Sequence, residues 1–476
     1  MICVSIISET TEKCIEDMHA AGPYADLLEV RLDYIKKPDL AKILAAREKP
    51  VIITVSPAQE NGRFEGTEEE RIALLRQALA LGAEHIDVNA GCPALRDLIA
   101  QKGESRVIVS YHNFQETPAD LAATYTALRA TGADIIKIAT MAQKTSDNLA
   151  VLDLVRQSDT SIIGLCMGPY GEISRILAPL YGAYLTFASL QAGKESAPGQ
   201  LPAETLRSVY RIDDIKPGFK LYGLIGNPVS KSKGYLLFNS LFKKYGLNSL
   251  YLNFPVEDLN DFAVHFSGRL AGFSVTMPHK RAIMSSLDEI DPAAQKVGAV
   301  NSVVNRSGKL AGYNTDIAGA LNPIEKKTVI RGRRVTVLGA GGAARAIAAG
   351  VVERGGSLTV LNRTVETARE LARELGCSFG PLSDFGMIKT DILINMTSVG
   401  MHPDVDAAPV DPGLVRDMVV FDAIYNPVKT RLLQEAEKNG CEVISGLEMF
   451  ICQAAEQFRL FTGIEPDAGF MKDMLQ

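Results

Sequence analysis

Asp134-Ile-Ile-Lys137-Ile-Ala139 reads as a β-strand with one misfit at its centre. Isoleucines on both sides suit a buried, pleated strand, whereas an ammonium among them costs free energy unless it is paired or gives up its proton. Outward from this stretch, short β-rich runs recur in both directions: Ile2–Ile7, Leu27–Leu32, Val51–Val55, His85–Val88, Arg106–Tyr111, Ser161–Cys166 and Tyr184–Ala188. They stand about 21 to 34 residues apart, with amphipathic helical patterns between them. In Glu68–Leu81, for example, Ile72, Leu75 and Leu79 form an apolar stripe beside charged neighbours. Eight strand–helix units in about 200 residues predict an α/β fold of the (β/α)8 TIM-barrel type, at the short end of its size range.

In such a barrel the reacting groups gather at the C-terminal ends of the strands. Glu29 and Arg31 alternate on the second run, so both can point into the barrel mouth. His112 closes the fifth run and Lys137 sits in the sixth. A strand lysine usually faces solvent, and a lone histidine is more often structural than catalytic. Inward residues of neighbouring barrel strands converge, however, and these two come from adjacent strands. Desolvation lowers the pKa of an amine, and the neutral amine is the form that condenses with a ketone.

The pattern changes after Arg211–Lys220, a charged Pro-Gly segment that reads as a linker. One α/β block runs from about Leu221 to Leu321, and another opens at Arg333–Leu338. There Val335-Thr-Val-Leu-Gly339-Ala-Gly341-Gly342-Ala343-Ala-Arg345 is a strand, a glycine turn and the start of an alanine-rich helix. That context lets the helix N-terminus present N–H groups to a pyrophosphate. The next strand, Ser357–Leu361, ends in Asn362-Arg363-Thr364. An acidic residue there would take the ribose hydroxyls of NAD, whereas Arg363 suits the 2′-phosphate of NADP.

Composition narrows the remaining classes. A chain of 476 residues is too long for one core, and 46% hydrophobic with 22% charged residues is ordinary for a globular protein. A net charge of −6 argues against a general nucleic-acid binder. No apolar run is long enough to span a membrane, and Met1–Cys14 has neither a basic segment nor a cleavage site. The seven cysteines are scattered without CxxC spacing, which predicts reduced thiols in the cytoplasm and no metal site. Neither an obligate protein partner nor a membrane or nucleic-acid partner is expected.

Five stretches taken in order resemble the type I 3-dehydroquinate dehydratases: Glu29-Val-Arg31-Leu-Asp33, Ser110-Tyr-His112-Asn-Phe114, Lys137-Ile-Ala139, Met167-Gly168 through Ser174-Arg175, and Ser196-Ala-Pro-Gly-Gln200. The resemblance implies that Lys137 forms an imine with the ketone of 3-dehydroquinate and that His112 moves the adjacent proton. It implies that Arg175 clamps the substrate carboxylate, that Glu29 and Arg31 line the substrate, and that Ser196 and Gln200 sit in a closing loop. Two positions depart from the family pattern. Ser56 stands where the family has arginine, and Asp87-Val-Asn89 stands where it has Asp-x-Glu. That glutamate is expected to support the catalytic histidine, so Asn89 predicts a weaker base and a slower dehydratase.

Downstream, Gly226-Asn-Pro-Val-Ser230-Lys-Ser232, Gly272-Phe-Ser-Val-Thr276-Met-Pro-His-Lys280, Gly298-Ala-Val-Asn301 and Gly312-Tyr-Asn314-Thr-Asp316 resemble the shikimate dehydrogenases. So do Asn395-Met-Thr397-Ser-Val-Gly400-Met401, Asp422-Ala-Ile-Tyr425, and Gly446-Leu-Glu-Met with Gln453. The resemblance implies that Ser230 and Ser232 hold the substrate carboxylate. Thr276, Asn301 and Gln453 would hold the ring hydroxyls, with Tyr425 beside the substrate. Lys280 and Asp316 would be the charged pair at the reacting carbonyl. NADP would lie on Gly339, Gly341, Gly342, Ala343, Asn362, Arg363, Thr364, Thr397 and Gly446. The family commonly continues Ser-Lys-Ser-Pro, where this chain has Ser232-Lys233-Gly234-Tyr235. Quinate-preferring relatives typically carry glycine at the second serine, so the resemblance, with Ser232 taken as that serine, implies a preference for shikimate.

The expected organisation is a dehydratase barrel (1–212), a substrate-binding lobe (220–322) and a Rossmann-type NADP lobe (323–476). Its small-molecule substrates would be 3-dehydroquinate and 3-dehydroshikimate, with shikimate the final product. A quinate-preferring dehydrogenase, or a non-catalytic quinate-sensing regulator built from the same modules, is the alternative. The presence of Lys137, His112, Lys280 and Asp316 argues against the regulator.

Overall fold

The computed structural model describes residues 1–230 and 232–475. By their contacts the residues fall into two compact units, Met1–Arg269 and Leu270–Gln476. The first opens with strands β1 (Ile2–Ile6), β2 (Leu27–Arg31), β3 (Val51–Thr54), β4 (His85–Asn89), β5 (Arg106–Asn113), β6 (Ile135–Met141), β7 (Ile162–Met167) and β8 (Thr186–Ser189). All pair in parallel, in sequence order from β1 to β7, with β8 on the other side of β1. The Tyr184 N–H donates to the Ile162 carbonyl at 2.7 Å and draws the start of β8 toward β7, nearly closing the barrel. Each strand lies within two residues of its predicted run.

Strand periodicity grades the interior from an apolar floor to a polar mouth. Cys3, Leu27, Ile52, Ile108, Ile135 and Ile163 belong to one buried apolar cluster. Two residues further along five of those strands come Ser5, Glu29, Thr54, Ser110 and Lys137, all buried and polar. Another step brings Arg31 and His112 to the strand ends.

The linker segment, 211–219, is built of turns, and Arg211 and Ile212 are buried in it. Strands β9 (Lys220–Gly226) and β10 (Ser249–Pro255) follow in the same unit, parallel and joined by the helix Gly234–Lys244.

The second unit holds β11 (Gly272–Val275), β12 (Glu289–Ile290), β13 (Ser302–Arg306) and β14 (Lys309–Tyr313). Strand β13 runs antiparallel between β11 and β14, and β12 flanks β14 in parallel. Six further strands make an all-parallel sheet: β15 (Arg334–Leu338), β16 (Ser357–Leu361), β17 (Ser378–Gly380), β18 (Ile392–Asn395), β19 (Val419–Asp422) and β20 (Glu442–Ile444). Their order, β17-β16-β15-β18-β19-β20, reverses winding between β15 and β18. That reversal opens a crevice at the C-terminal ends of those two strands, where doubly wound folds bind dinucleotides. Val335, Val337, Ile347, Ile392 and Ile394 form part of the core beneath it. No helix among the described residues is long and apolar enough to cross a membrane.

Candidate active sites

The barrel mouth encloses a cavity of about 210 Å³. Glu29, Arg31, His112, Lys137, Arg175, Ser196 and Gln200 all line it. Lys137 Nζ lies 2.7 Å from Asp87 Oδ2, 4.0 Å from Glu29 Oε1 and 4.4 Å from the Phe187 ring centroid. This corrects the expectation of a neutral amine. Burial alone would favour the uncharged form, but Asp87 and then Glu29 outweigh it and raise the Lys137 pKa above its ordinary value. The same contact holds the Asp87 carboxyl low against its own burial. Ser5 and Thr54 donate to the two oxygens of Glu29 at 2.6 and 3.0 Å, which fixes that carboxylate. Arg31 forks onto Asp33 with both distances at 2.8 Å.

His112 is supported, but not by Asn89. Its Nδ1 lies 2.8 Å from Glu60 Oε2 and its ring stacks on Phe114. With Nδ1–H donating to a carboxylate, Nε2 keeps the lone pair and is the basic nitrogen. The expectation that the histidine lacks a carboxylate partner is therefore corrected: Glu60 takes that place. Glu60 ends a short turn, Ala58–Glu60, after β3. Gly62 lets that turn fold back tightly, because a Cβ there would lie 1.9 Å from the Ser56 carbonyl oxygen. Neither strand nor helix periodicity marks Glu60. Its place just past the C-terminal end of a barrel strand was the available signal. Asn89 and Ser56 line the same cavity, and Asn89 Oδ1 is buried without a hydrogen-bond partner.

Arg175 is 1% exposed, yet among the described residues its recorded hydrogen bond is Nη2 to the Pro198 carbonyl at 3.2 Å, and its Nε has no partner. Burial pushes its pKa down to about 10, so it stays charged at neutral pH. A buried guanidinium with open donors is a receptor for an anion. Gln200 closes the loop onto Ser196 through Ser196 N–H to Oε1 at 2.7 Å and Nε2 to Ser196 Oγ at 2.9 Å.

In the second unit Lys280 Nζ lies 2.6 Å from Asp316 Oδ2, and Asn301 Nδ2 donates to the other oxygen at 2.8 Å. Thr315 closes the network with its N–H on Asn301 Oδ1 at 2.8 Å. Thr276 is half-buried at the end of β11. Gln453 packs against the first turns of the helix Asp316–Glu325, where Gly319 leaves room for it. Ser230 and Ser232 lie in the first unit, in the turn after β9. Gln457, which the sequence reading passed over, is buried and joins Ser274 and Ser302 at 3.0 Å each. It sits one helical turn from Gln453 and faces the sheet.

At the crevice of the parallel sheet, Gly339 has φ 105° and approaches the Met396 carbonyl so closely that a Cβ would lie 3.2 Å from it. The helix Gly342–Glu353 starts without a side-chain cap, and Cβ atoms on Gly341 or Gly342 would meet nothing within 4 Å. Ala343 is exposed beside them. Its first N–H groups therefore face open space, which fits a pyrophosphate. Asn362 bonds back to the Thr364 carbonyl at 3.0 Å, and the exposed Arg363 has no recorded partner among the described residues. Thr397 is anchored by Asn395 Oδ1 at 2.8 Å. Tyr425 is 48% exposed and stacks on Phe450, while Gly446 starts its helix hard against the Ala423 carbonyl.

Four family models match most of the chain in series. They are type I 3-dehydroquinase (2–217), the shikimate dehydrogenase substrate binding domain (224–303), shikimate/quinate 5-dehydrogenase (324–422) and the shikimate 5′-dehydrogenase C-terminal domain (446–476). A bifunctional 3-dehydroquinate dehydratase/shikimate dehydrogenase, chloroplastic, of Arabidopsis thaliana is 39% identical over 98% of this chain and 82% of its own length. A shikimate biosynthesis protein of Chlamydia pneumoniae is 32% identical over 97% of this chain and 95% of its own. A solved shikimate dehydrogenase in complex with NADP⁺ is 40% identical and covers 55% of this chain and 96% of that one, with a TM-score of 0.52. The chain belongs to the bifunctional 3-dehydroquinate dehydratase/shikimate dehydrogenase family.

Proposed function

We propose that the chain catalyses two consecutive steps of the shikimate pathway: dehydration of 3-dehydroquinate to 3-dehydroshikimate, then NADPH-dependent reduction to shikimate. Residues 1–212 carry the first step, 220–322 bind the second substrate and 323–476 bind NADP. The observation that carries this reading is Lys137, buried beside Asp87 at the base of a cavity rimmed by the His112–Glu60 pair and an anion-ready Arg175.

In the first step the Arg175 guanidinium takes the substrate carboxylate, which sets the ring over Lys137. Lys137 lends a proton to the Asp87 carboxylate that holds it and condenses with the ketone, and that proton returns to the carbinolamine hydroxyl as it leaves as water. The resulting imine acidifies the adjacent C–H. His112 Nε2 removes that proton while Glu60 stabilises the imidazolium that forms. The same proton then goes to the departing hydroxyl, which leaves as water, and hydrolysis of the imine frees the enone. Ser196 and Gln200 close over the ring and exclude solvent, while Glu29 and Arg31 fix the cavity wall.

In the second step Ser230 and Ser232 hold the carboxylate, and Thr276, Asn301 and Gln453 bind the ring hydroxyls, with Tyr425 alongside. Gly339, Gly341, Gly342 and Ala343 would hold NADPH, which would supply the hydride when bound. Asn362, Arg363 and Thr364 would take its 2′-phosphate, and Thr397 and Gly446 would complete the cofactor site. Lys280, oriented by Asp316, gives a proton to the developing alkoxide. Seven unpaired cysteines, five of them buried, support action in a reducing compartment, the cytoplasm.

The test supplies 3-dehydroquinate and NADPH together and follows loss of the reduced nicotinamide. Turnover should disappear in Lys137→Ala and return when 3-dehydroshikimate is added. A parent enzyme that reduces 3-dehydroshikimate but consumes no NADPH from 3-dehydroquinate would remove the dehydratase assignment.

A further inference from the structure

The turn that carries Ser230 and Ser232 is held at both ends by tyrosines of the barrel. At its front, Asn227 Nδ2 donates to Glu257 Oε1 at 3.3 Å, and the same oxygen accepts the Tyr170 hydroxyl. Tyr170 lies in the loop after β7, between Gly168 and the helix Glu172–Leu177. Burial and Glu257 push the Tyr170 pKa up to about 12, so its hydroxyl remains a donor at any physiological pH. At the rear, the Tyr235 ring stacks on Tyr210 with centroids 5.6 Å apart and planes 18° from parallel. Tyr210 follows the last helical turn of the barrel and is 2% exposed. The Gly234 N–H donates to Ser232 Oγ at 3.2 Å and ties the serine to the helix start that Tyr235 anchors. Between the two ends, Asn253 Nδ2 reaches the Val229 carbonyl at 3.2 Å.

This arrangement gives a physical reason for a departure seen in the sequence. The family pattern places proline where this chain has Tyr235. A proline ring cannot supply the flat face that packs on Tyr210, whereas Tyr235 does. Lys144 and Ser146, from the loop after β6, complete the seam by binding Asp261 at 2.7 and 2.9 Å.

We propose that the dehydratase barrel positions the substrate-carboxylate turn of the reductase, with Tyr170 acting through Glu257 and Tyr210 acting through Tyr235. This rests on the reading that Ser230 and Ser232 hold that carboxylate. These contacts hold Asn227, Ser232 and Tyr235 in place before substrate arrives, so binding does not have to fix them. Release of either end lowers the fraction of molecules with the serines in place, and apparent affinity falls by that fraction. The effect falls on 3-dehydroshikimate binding and spares both NADPH binding and the rate at saturation.

The experiment uses full-length Tyr170→Phe, Glu257→Gln, Tyr235→Ala, Tyr235→Phe and Ser232→Ala, with kcat and KM measured for each substrate. Tyr170→Phe, Glu257→Gln and Tyr235→Ala should each raise KM for 3-dehydroshikimate about 3- to 10-fold, the range of one hydrogen bond or stacked pair. Their kcat and KM for NADPH should match the parent. Tyr235→Phe keeps the ring and should restore the parent KM. Glu257→Gln weakens both of its bonds, from Tyr170 and from Asn227, so adding Tyr170→Phe to it should cost little more than Glu257→Gln alone, whereas either should multiply with Tyr235→Ala. Parent KM values in Tyr170→Phe and Tyr235→Ala, with a raised KM in Ser232→Ala, would overturn the positioning role and leave the serine assignment standing. An unchanged KM in Ser232→Ala would overturn the serine assignment itself. Loss of kcat and NADPH affinity along with KM would mark general damage and would also overturn the proposal.

Discussion

Replacing Asp87 by asparagine removes the only carboxylate in hydrogen-bond contact with Lys137 Nζ among the described residues, 2.7 Å away. In the parent, the Lys137 pKa is raised above its ordinary value and that of Asp87 is lowered. The lysine's contribution to stability is therefore complete below the unfolded lysine pKa of about 10.4, and is lost only as pH rises through the higher folded value. The aspartate's contribution is complete above about pH 3.9 and is lost as pH falls through the lower folded value. Between those limits the parent's pair contributes a constant amount. In Asp87→Asn the largest raising influence is gone, burial dominates, and Lys137 folds as the neutral amine. Breaking a buried pair costs about 3–5 kcal/mol. Folding with a neutral lysine costs at most about 1.36 kcal/mol per pH unit below 10.4, or about 4.6 kcal/mol at pH 7 and about 1.9 at pH 9. The variant's deficit should thus shrink by roughly half or more between pH 7 and pH 9. Denaturant unfolding of both proteins at pH 7, 8 and 9 measures it. A deficit that stays the same across that range would show that Lys137 remains charged without Asp87, and would refute the argument.

Glu60→Gln keeps the shape but removes the charge on His112, so dehydratase kcat should fall about 10- to 100-fold, as for loss of a charge-assisted hydrogen bond; reduction of 3-dehydroshikimate should be untouched. Borohydride with 3-dehydroquinate should trap an adduct on Lys137, detectable by peptide mass, and an adduct on another lysine would reassign the site. Arg363→Ala should weaken NADPH by about 1.5–3 kcal/mol while leaving NADH binding unchanged; equal losses would mean that Arg363 does not read the 2′-phosphate. Lys280→Ala should abolish reduction and spare dehydration, measured in separate assays on one preparation.

What the sequence made legible was whatever repeats. Eight β-rich runs and the isoleucines around Lys137 gave the barrel, because a strand buried on both faces must be apolar and the misfit then stands out. The glycine turn before Ala343 gave the parallel sheet for a similar reason, since strand, turn and helix have to follow without a gap. Glu60 was hidden because it lies in a polar turn, where a glutamate is ordinary and only the fold brings it 2.8 Å from His112. Asp87 was visible as part of a motif, but its effect on the charge of Lys137 depends on the register that sets β4 and β6 on either side of β5. Gln453 and Gln457 share one helix, and only packing shows that the second faces the sheet.

The two departures in the barrel can now be read together. Relative to the family pattern, Ser56 removes a cation and Asn89 removes an anion, and both positions line one cavity. Their joint loss leaves the net charge of that cavity unchanged. Its other charged groups have partners: Arg31 on Asp33, Lys137 on Asp87, Arg71 on Glu68, and Glu29 on Ser5 and Thr54, while Glu60 faces His112. Among the described residues that line the cavity, Arg175 is the cation with an unfilled buried donor, and one carboxylate on the substrate would fill it. Restoring a glutamate at 89 by itself would add an unpaired carboxylate among Glu29, Asp87 and Glu60, and would compete for Lys137 and His112 without giving His112 a partner it lacks. Asn89→Glu should therefore slow the dehydratase. Adding Ser56→Arg should return it toward the parent rate but not beyond, which dehydratase kcat in the two singles and the double would measure as a mutant cycle. A double variant clearly faster than the parent would mean that Glu60 supports His112 less well than its 2.8 Å contact implies.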